Sequence, residues 1–257
     1  MKTLKIAIQK SGRLNEKSVE ILFLRDDDIP EYVQDGIADL GIVGENVIEE
    51  TGAQITFLQK VAFGRCNLKI AVQNNSEFKT VEDLAGKTIA TSYPIILGKY
   101  LKEKNIEANV RTISGSVEIG PGLGLSDAIF DIVSTGGTLK SNGLKSFVDV
   151  MSSEAVLIGS KAIENNPDVA ELLQRIRSVL AAKATKYVVL NVKKANLKEV
   201  IDLLPGVKSP TVIPLFEEDW VAVHSVIAEE DFWDKINSLK AAGAEGILVM
   251  PIEKIIM

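Results

Sequence analysis

From Leu4 to Ile8 apolar and polar positions alternate, the pattern of a half-buried β-strand. Short β-branched runs recur at Leu40–Val43, Leu68–Val72, Thr88–Ala90, Val110–Ile113, Ile132–Ser134 and Val156–Gly159. Helical patterns lie between them at Val81–Leu84, Pro94–Glu103 and Gly124–Phe130. Such alternation predicts an α/β fold with largely parallel sheets. Pro167–Lys183 reads as a long amphipathic helix, with Val169, Leu172, Leu173, Ile176, Val179 and Leu180 at helical spacing and Pro167 placed to start it. After it the order is strand Tyr187–Val192, helix Leu197–Leu204, strands Thr211–Leu215 and Trp220–Ile227, helix Glu230–Ala242 and strand Gly246–Ile252. That β-α-β-β-α-β order predicts a ferredoxin-like domain.

Two stretches look alike. Asp35–Gly44 and Leu125–Gly136 each lead through an aspartate, Asp39 or Asp131, into a β-branched strand and a glycine turn. The likeness predicts two related α/β lobes with a cleft between them, as in bilobal solute-binding folds. One join is inconsistent. A helix over Glu16–Glu20 meets the apolar run Ile21–Leu24 with none of the two to six turn residues that such a reversal needs. Glu20 and Ile21 are therefore expected not to be covalent neighbours in the native chain.

Composition narrows the class. The chain has 257 residues, 46% hydrophobic and 25% charged, enough for two or three small domains. It has no apolar run near the ~18 residues of a membrane helix. The N-terminal segment turns polar too soon for a signal-peptide core. The single cysteine, Cys66, allows no intramolecular disulfide and fits a reducing compartment, so a cytoplasmic protein is expected. A net charge of −6 argues against a nucleic-acid coat but not against a nucleotide ligand. One histidine, His224, and one cysteine exclude a Cys/His zinc site.

The strongest chemical string is Asp131-Ile132-Val133-Ser134-Thr135-Gly136-Gly137-Thr138-Leu139. A strand end, two glycines and a helix start near Thr138 offer N–H groups and hydroxyls to a phosphate, and Asp131 offers a carboxylate to ribose hydroxyls. A plain Gly-Gly turn is the alternative. Two other glycine strings fail: Val81 stands where a P-loop ending at Gly86-Lys87-Thr88 needs glycine, and Gly120–Gly124 lacks the dinucleotide spacing. Gln9-Lys10-Ser11-Gly12-Arg13-Leu14 puts two cations at a strand's carboxyl end, where open α/β sheets bind ligands. Arg25-Asp26-Asp27-Asp28-Ile29-Pro30 reads as helix capping, or as orientation of Arg25 or a Mg²⁺ contact. Gly64-Arg65-Cys66 and Thr91-Ser92-Tyr93 lie near strand ends; the second supplies hydroxyls and an aromatic face, or a helix cap before Pro94.

Together with Asp39–Asn46, Ile89–Pro94 and the tail Ile247–Lys254, these strings resemble, essentially end to end, the long form of ATP phosphoribosyltransferase. Ser209–Leu215 and Trp220–His224 look like that family's C-terminal regulatory domain. The resemblance implies two periplasmic-binding-protein-like α/β lobes plus a C-terminal ferredoxin-like, ACT-like domain. The lobes would comprise residues 1–70 with 156–185 and residues 71–155, and the regulatory domain residues 186–257. It implies Mg²⁺-assisted transfer of phosphoribosyl from phosphoribosyl pyrophosphate to N1 of ATP, inhibition by histidine and AMP, and a dimer or hexamer. Ser134–Thr138 would then hold the 5′-phosphate with Asp131 near the ribose. Glu118 would lie near pyrophosphate and metal, with Arg13 beside the chemistry. Lys10, Ser11, Gly12, Arg13, Arg65, Thr91, Ser92 and Tyr93 would face ATP. The family also carries more chain before the Arg25 string. Polar strand ends make Ser209, Thr211 and Ser225 candidates for a histidine site, while His224 itself reads as a packed neighbour. A bilobal small-molecule sensor and an inactive regulatory paralogue are the competing readings.

Overall fold

The computed structural model describes residues 4–9, 19–133, 136–163, 165–204 and 206–256. In chain order it carries β1 (Leu4–Gln9), β2 (Val19–Leu24), α1 (Ile29–Gln34), β3 (Leu40–Gly44), α2 (Glu45–Thr51) and β4 (Thr56–Lys60). Then come β5 (Cys66–Gln73), β6 (Thr88–Thr91), α3 (Pro94–Glu103), β7 (Asn109–Thr112), β8 (Ala128–Val133), α4 (Gly137–Ser141), β9 (Leu144–Ser153), β10 (Ala155–Gly159) and α5 (Pro167–Lys183). The chain divides into two compact units, Met1–Val169 and Ala170–Met257. The sequence instead suggests a break at residue 186.

The first unit holds two five-stranded sheets of one design, β2-β1-β3-β10-β4 and β7-β6-β8-β5-β9. In each, three strands run parallel, and the fourth, arriving from the other sheet, lies antiparallel to its neighbours. The sheets are therefore mixed rather than largely parallel. The chain crosses between them twice, over Val61–Arg65 and at Glu154. Residues 66–70, assigned from sequence to the first lobe, belong to the second sheet through β5.

The internal likeness is real but differently aligned. Asp39 accepts the Lys5 N–H at 2.8 Å and donates its own N–H to the Lys5 carbonyl at 2.9 Å. Asp127 does the same with Thr88, at 2.8 Å both ways. Each aspartate thus pins the entry of a central strand, β3 or β8, to its parallel neighbour. The counterpart of Asp39 is Asp127, four residues from the one the sequence suggests. That leaves Asp131 unique to the second lobe.

Two further expectations fail. Gly124–Phe130 is not a helix, because Gly124 closes a short 3-10 turn at φ +67° and β8 begins at Ala128. Glu20 ends no helix either. It lies inside β2, which continues through Ile21 in register on Lys5 and Ile6 of β1. Glu20 and Ile21 are thus consecutive residues of one strand in this chain.

Helix α1 packs directly on β3 because Gly41 has no side chain. A Cβ there would lie 2.7 Å from Ile29 and 2.9 Å from Val33, both fully buried. Gly41→Ala is expected to cost ~1–3 kcal/mol by overpacking. Thermal unfolding would register roughly 2–4 °C lost per kcal/mol. An unchanged midpoint would mean that α1 is free to retreat.

The second unit contains β11 (Thr185–Lys193), α6 (Leu197–Leu203), β12 (Thr211–Pro214), β13 (Trp220–Ala228), α7 (Glu229–Ala241) and β14 (Glu245–Pro251). Its sheet order is β12-β13-β11-β14, with every pair antiparallel. This is the β-α-β-β-α-β arrangement expected from the sequence. Alternation decides its faces: Val188, Leu190, Val221 and Val223 are buried in one core with Val200, Phe232 and Leu239 of the two helices.

Candidate functional site

Asp131 stands near the carboxyl end of β8, where open α/β sheets present ligand-binding groups. One carboxylate oxygen accepts the Ile132 N–H at 2.8 Å. Burial pushes its pKa above the ordinary carboxylate value, Glu118 pushes it further, and the Ile132 amide pulls the other way. A carboxylate kept partly dry with spare acceptor capacity suits hydroxyl recognition. The strand then enters the turn holding Gly136, at φ +73°, and α4. Among the described residues, a Cβ on Gly136 would meet nothing within 4 Å, so this side of the turn is open. Gly137 and Thr138 are exposed beside it. Ser134 and Thr135 lie outside the described residues.

The Thr91–Tyr93 turn between β6 and α3 divides its labour. Thr91 is fully buried, and its hydroxyl accepts the Tyr93 N–H at 2.8 Å, so it shapes the turn and does not face a ligand. Ser92 donates to the Ile113 carbonyl at 2.7 Å, fastening the segment that leads to Glu118. Tyr93 sets its ring edge-on to Phe130, with centroids 6.5 Å apart. Burial first, then Asp131, Asp26, Asp27 and Cys66, push the Tyr93 phenol far above its ordinary value. It is therefore a neutral hydrogen-bond donor throughout the physiological range.

Those influences reveal the neighbourhood. Asp26 and Asp27 come from the 3-10 turn ahead of α1, and neither that turn nor α1 has a side-chain cap. This acidic string makes no capping hydrogen bond, although Asp26–Asp28 do stand at the N-terminal end of α1, where carboxylates complement the helix dipole. Burial, then Asp26 and Asp28, raise the Asp27 pKa, with Arg25 opposing. Carboxylates from both lobes thus contribute negative potential at the Tyr93 hydroxyl. Arg65 is exposed at the first crossing and paired with Glu154 of the second, Nε to Oε2 3.2 Å. Lys10, Ser11, Gly12 and Arg13 lie outside the described residues.

Sequence reading missed one residue altogether. Glu50 of α2, in the first lobe, accepts the N–H groups of Ile95 and Ile96 in the first turn of α3, at 2.8 and 2.9 Å. No local motif marks it. Only the fold brings the two helices together.

In the second unit, Thr211 is paired with His224 across β12 and β13, and the Tyr187 hydroxyl lies 2.9 Å from His224 Nδ1. His224 is a partly buried, hydrogen-bonded neighbour, as its strand position suggests. Ser225 points the opposite way. It is buried, and its hydroxyl is 3.4 Å from the Leu204 carbonyl. Ser225 therefore shares no face with Thr211, and the three candidates do not form one site. Ser209 is exposed in the loop before β12.

A two-lobed α/β unit with an acidic, hydroxyl-bearing locus and an open glycine turn, followed by a ferredoxin-like unit, defines a small-ligand protein with an appended domain. The family model described as ATP phosphoribosyltransferase matches residues 25–178, and that of its C-terminal domain matches residues 182–254. An ATP phosphoribosyltransferase from Cytophaga hutchinsonii is 50% identical over 281 residues, covering 98% of both chains. One from Parabacteroides distasonis is 46% identical over 282 residues, covering 99% of this chain and 100% of its own. The chain belongs to the ATP phosphoribosyltransferase family. Those alignment lengths, against 257 residues here, leave at least two dozen positions of the relatives without a counterpart in this chain. Among solved structures, the ATP phosphoribosyl transferase (HisG:HisZ) complex from Thermotoga maritima contains a chain similar to this one, with TM-score 0.60 and 24% identity. The match covers 97% of that chain and 68% of this one. The periplasmic aliphatic sulphonate binding protein of Escherichia coli is similar at TM-score 0.50 and 19% identity, covering 68% of this chain and 71% of its own. Both likenesses speak for the bilobal fold.

Proposed function

We propose that the first unit transfers phosphoribosyl from phosphoribosyl pyrophosphate to N1 of ATP, releasing pyrophosphate, and that the second unit carries feedback control by histidine. The reaction is the family's own, the first step of histidine biosynthesis. The observation that carries the residue assignment is the run from Asp131 into the open turn at Gly136. A carboxylate for ribose hydroxyls is followed there by an open turn whose left-handed backbone at Gly136 favours glycine. Adenine N1 is largely unprotonated at neutral pH, so its lone pair attacks the anomeric carbon without a general base, and the departing electrons stay on pyrophosphate. Tyr93, neutral and donating, and the cations Lys10, Arg13 and Arg65 are assigned to ATP.

Mg²⁺ fits this locus in a particular way. Among the described residues no group of three or more His, Cys, Asp or Glu is arranged to hold a metal. Mg²⁺ is commonly held by one or two carboxylates plus substrate phosphates, and Glu118 would supply one. The ion would offset charge on leaving pyrophosphate. The chain's own part is to orient the ribose, present the donor hydroxyl and keep the anomeric carbon in line with N1. No described helix is long and apolar enough to cross a membrane. We assign the protein to the cytoplasm as a homo-oligomer, dimer or hexamer, with AMP as a second inhibitor.

Pyrophosphate release that requires both substrates would establish the reaction and eliminate the sensor and inactive-paralogue readings. Thr138→Leu, which puts an apolar side chain beside the Gly136 turn, is expected to raise KM for phosphoribosyl pyrophosphate about tenfold, the worth of one lost hydrogen bond to a charged group. KM for ATP should change little. Equal effects on both substrates would remove the phosphate assignment.

A further inference from the structure

We infer that Glu50 is a positioning residue for the reaction: a carboxylate on one lobe that fixes the turn bearing Tyr93 on the other. The inference rests on the assignment of Tyr93 to the ATP site. Helix α3 begins with an unusual deficit. Its N-cap residue is Tyr93, which makes no side-chain capping bond, and Pro94 at the first position has no N–H. The free amides at the start of the helix are those of Ile95 and Ile96, and both are taken by Glu50 across 45 or 46 positions of sequence. The cap therefore comes from the other lobe. A carboxylate on two N–H groups is short, charge-assisted and directional, and it complements the positive end of the helix dipole.

Its neighbours show where the constraint leads. Tyr93 is the residue immediately before the capped turn, and its amide is already tied to Thr91. Fastening Ile95 and Ile96 from beyond the lobe boundary leaves the tyrosine ring held on both sides, with Phe130 at its edge. The phenol then stays within the electrostatic reach of Asp131 of its own lobe and of Asp26 and Asp27 of the other. At the far end of the second crossing, Ser153 donates to Asn46 Oδ1 at 2.7 Å and accepts the Asn46 N–H at 3.1 Å, so α2 is anchored at its own first turn. Helix α2 is thus a strut. Asn46 secures it beside the crossing strands, and Glu50 reaches from its last turn to the second lobe. The Glu49–Lys99 ion pair, 3.0 Å long but exposed on both sides, lies along the same contact and serves as a natural control.

The test uses the full chain. In the wild type, amide exchange of the Tyr93–Leu97 segment should be slow, and in Glu50→Ala the Ile95 and Ile96 amides should exchange at least about tenfold faster, since losing bonds to a charged group opens the turn. Fast exchange in the wild type would overturn the clasp whatever the enzyme's activity. Kinetically, Glu50→Ala is expected to lower kcat/KM for ATP about tenfold, as misplacement of a remote support does. Glu50→Gln, which keeps one acceptor, should recover part of that loss, and Lys99→Ala should behave as wild type. In a Tyr93→Phe background the Glu50→Ala penalty should nearly vanish, because the two act through one hydroxyl. Additive penalties would mean that Glu50 supports the fold and does not position Tyr93. A wild type that exchanges slowly but fails to join the two substrates would refute the proposed reaction and leave the clasp intact.

Discussion

Asp131→Asn is expected to raise the melting temperature at pH 7 while lowering kcat/KM for phosphoribosyl pyrophosphate about a hundredfold. The two effects share one cause. Burial and Glu118 raise the Asp131 pKa above its ordinary 3.8 in the folded chain. A raised acid pKa means that the fold binds that proton more tightly than the unfolded chain does. Stability is then highest below the unfolded value and falls as pH rises through the folded one, so at pH 7 the whole penalty for the buried charge is present. Asparagine is nearly the same shape, keeps an oxygen for the Ile132 N–H and carries no charge. Its advantage in melting temperature should shrink as pH falls and disappear below about 4, where the wild-type carboxyl is protonated in both states. The kinetic loss follows because hydrogen bonds to a charged group are worth ~1.5–3 kcal/mol each, and about 2.7 kcal/mol is a hundredfold. Thermal unfolding from pH 4 to 8 beside steady-state kinetics reads both. A variant less stable than wild type at pH 7 would mean that Asp131 has a structural partner, and unchanged kinetics would remove it from the site.

Much of this architecture was legible because it is local. Pro94–Glu103 and Pro167–Lys183 form helices at the limits their prolines and apolar spacing suggest, and the second unit follows its alternation strand by strand. What failed depended on partners remote in sequence. Ala128-Ile129-Phe130 is buried on both faces of the second sheet, and a short continuous apolar run cannot be told from a helix by period. Strand β9 was not anticipated: its pairing with β5 shifts register twice, which blurs the period-two pattern over Leu144–Ser153. The site divides in the same way. Asp131, Gly136 and Tyr93 carry local marks, a strand end, a left-handed turn and a helix start, and on those marks sequence puts them forward as candidates. Thr91 and Ser225 looked like ligand hydroxyls because composition says nothing about which side of a strand faces the core. Glu50 carries no mark, since its partners are backbone amides on another lobe.

Removing residues 184–257 is expected to abolish inhibition by histidine while leaving synthesis in place. Every candidate catalytic residue lies within Met1–Val169. The catalytic family model ends at residue 178, and the C-terminal-domain model begins at residue 182. The Thermotoga maritima neighbour has the bilobal fold in a chain matched almost whole by 68% of this one, so that fold does not require the remainder. Inhibition at a distance needs histidine to bind a less active arrangement more tightly than the active one, and the coupling vanishes with the domain that binds it. Within the second unit the open sheet face is the better location. There Thr211 stands beside His224, and Tyr187 already holds the imidazole at 2.9 Å, whereas Ser225 is spent in the core. Thr211→Trp in the full chain places an indole over that face from an exposed edge strand, where it should fold. It is expected to weaken histidine inhibition by at least about tenfold with kcat unchanged, a change of ~1.4 kcal/mol in binding. A folded shortened chain that histidine still inhibits would relocate the effector site to the first unit. Should the shortened chain fail to fold, wild-type inhibition in Thr211→Trp would by itself exclude the open face.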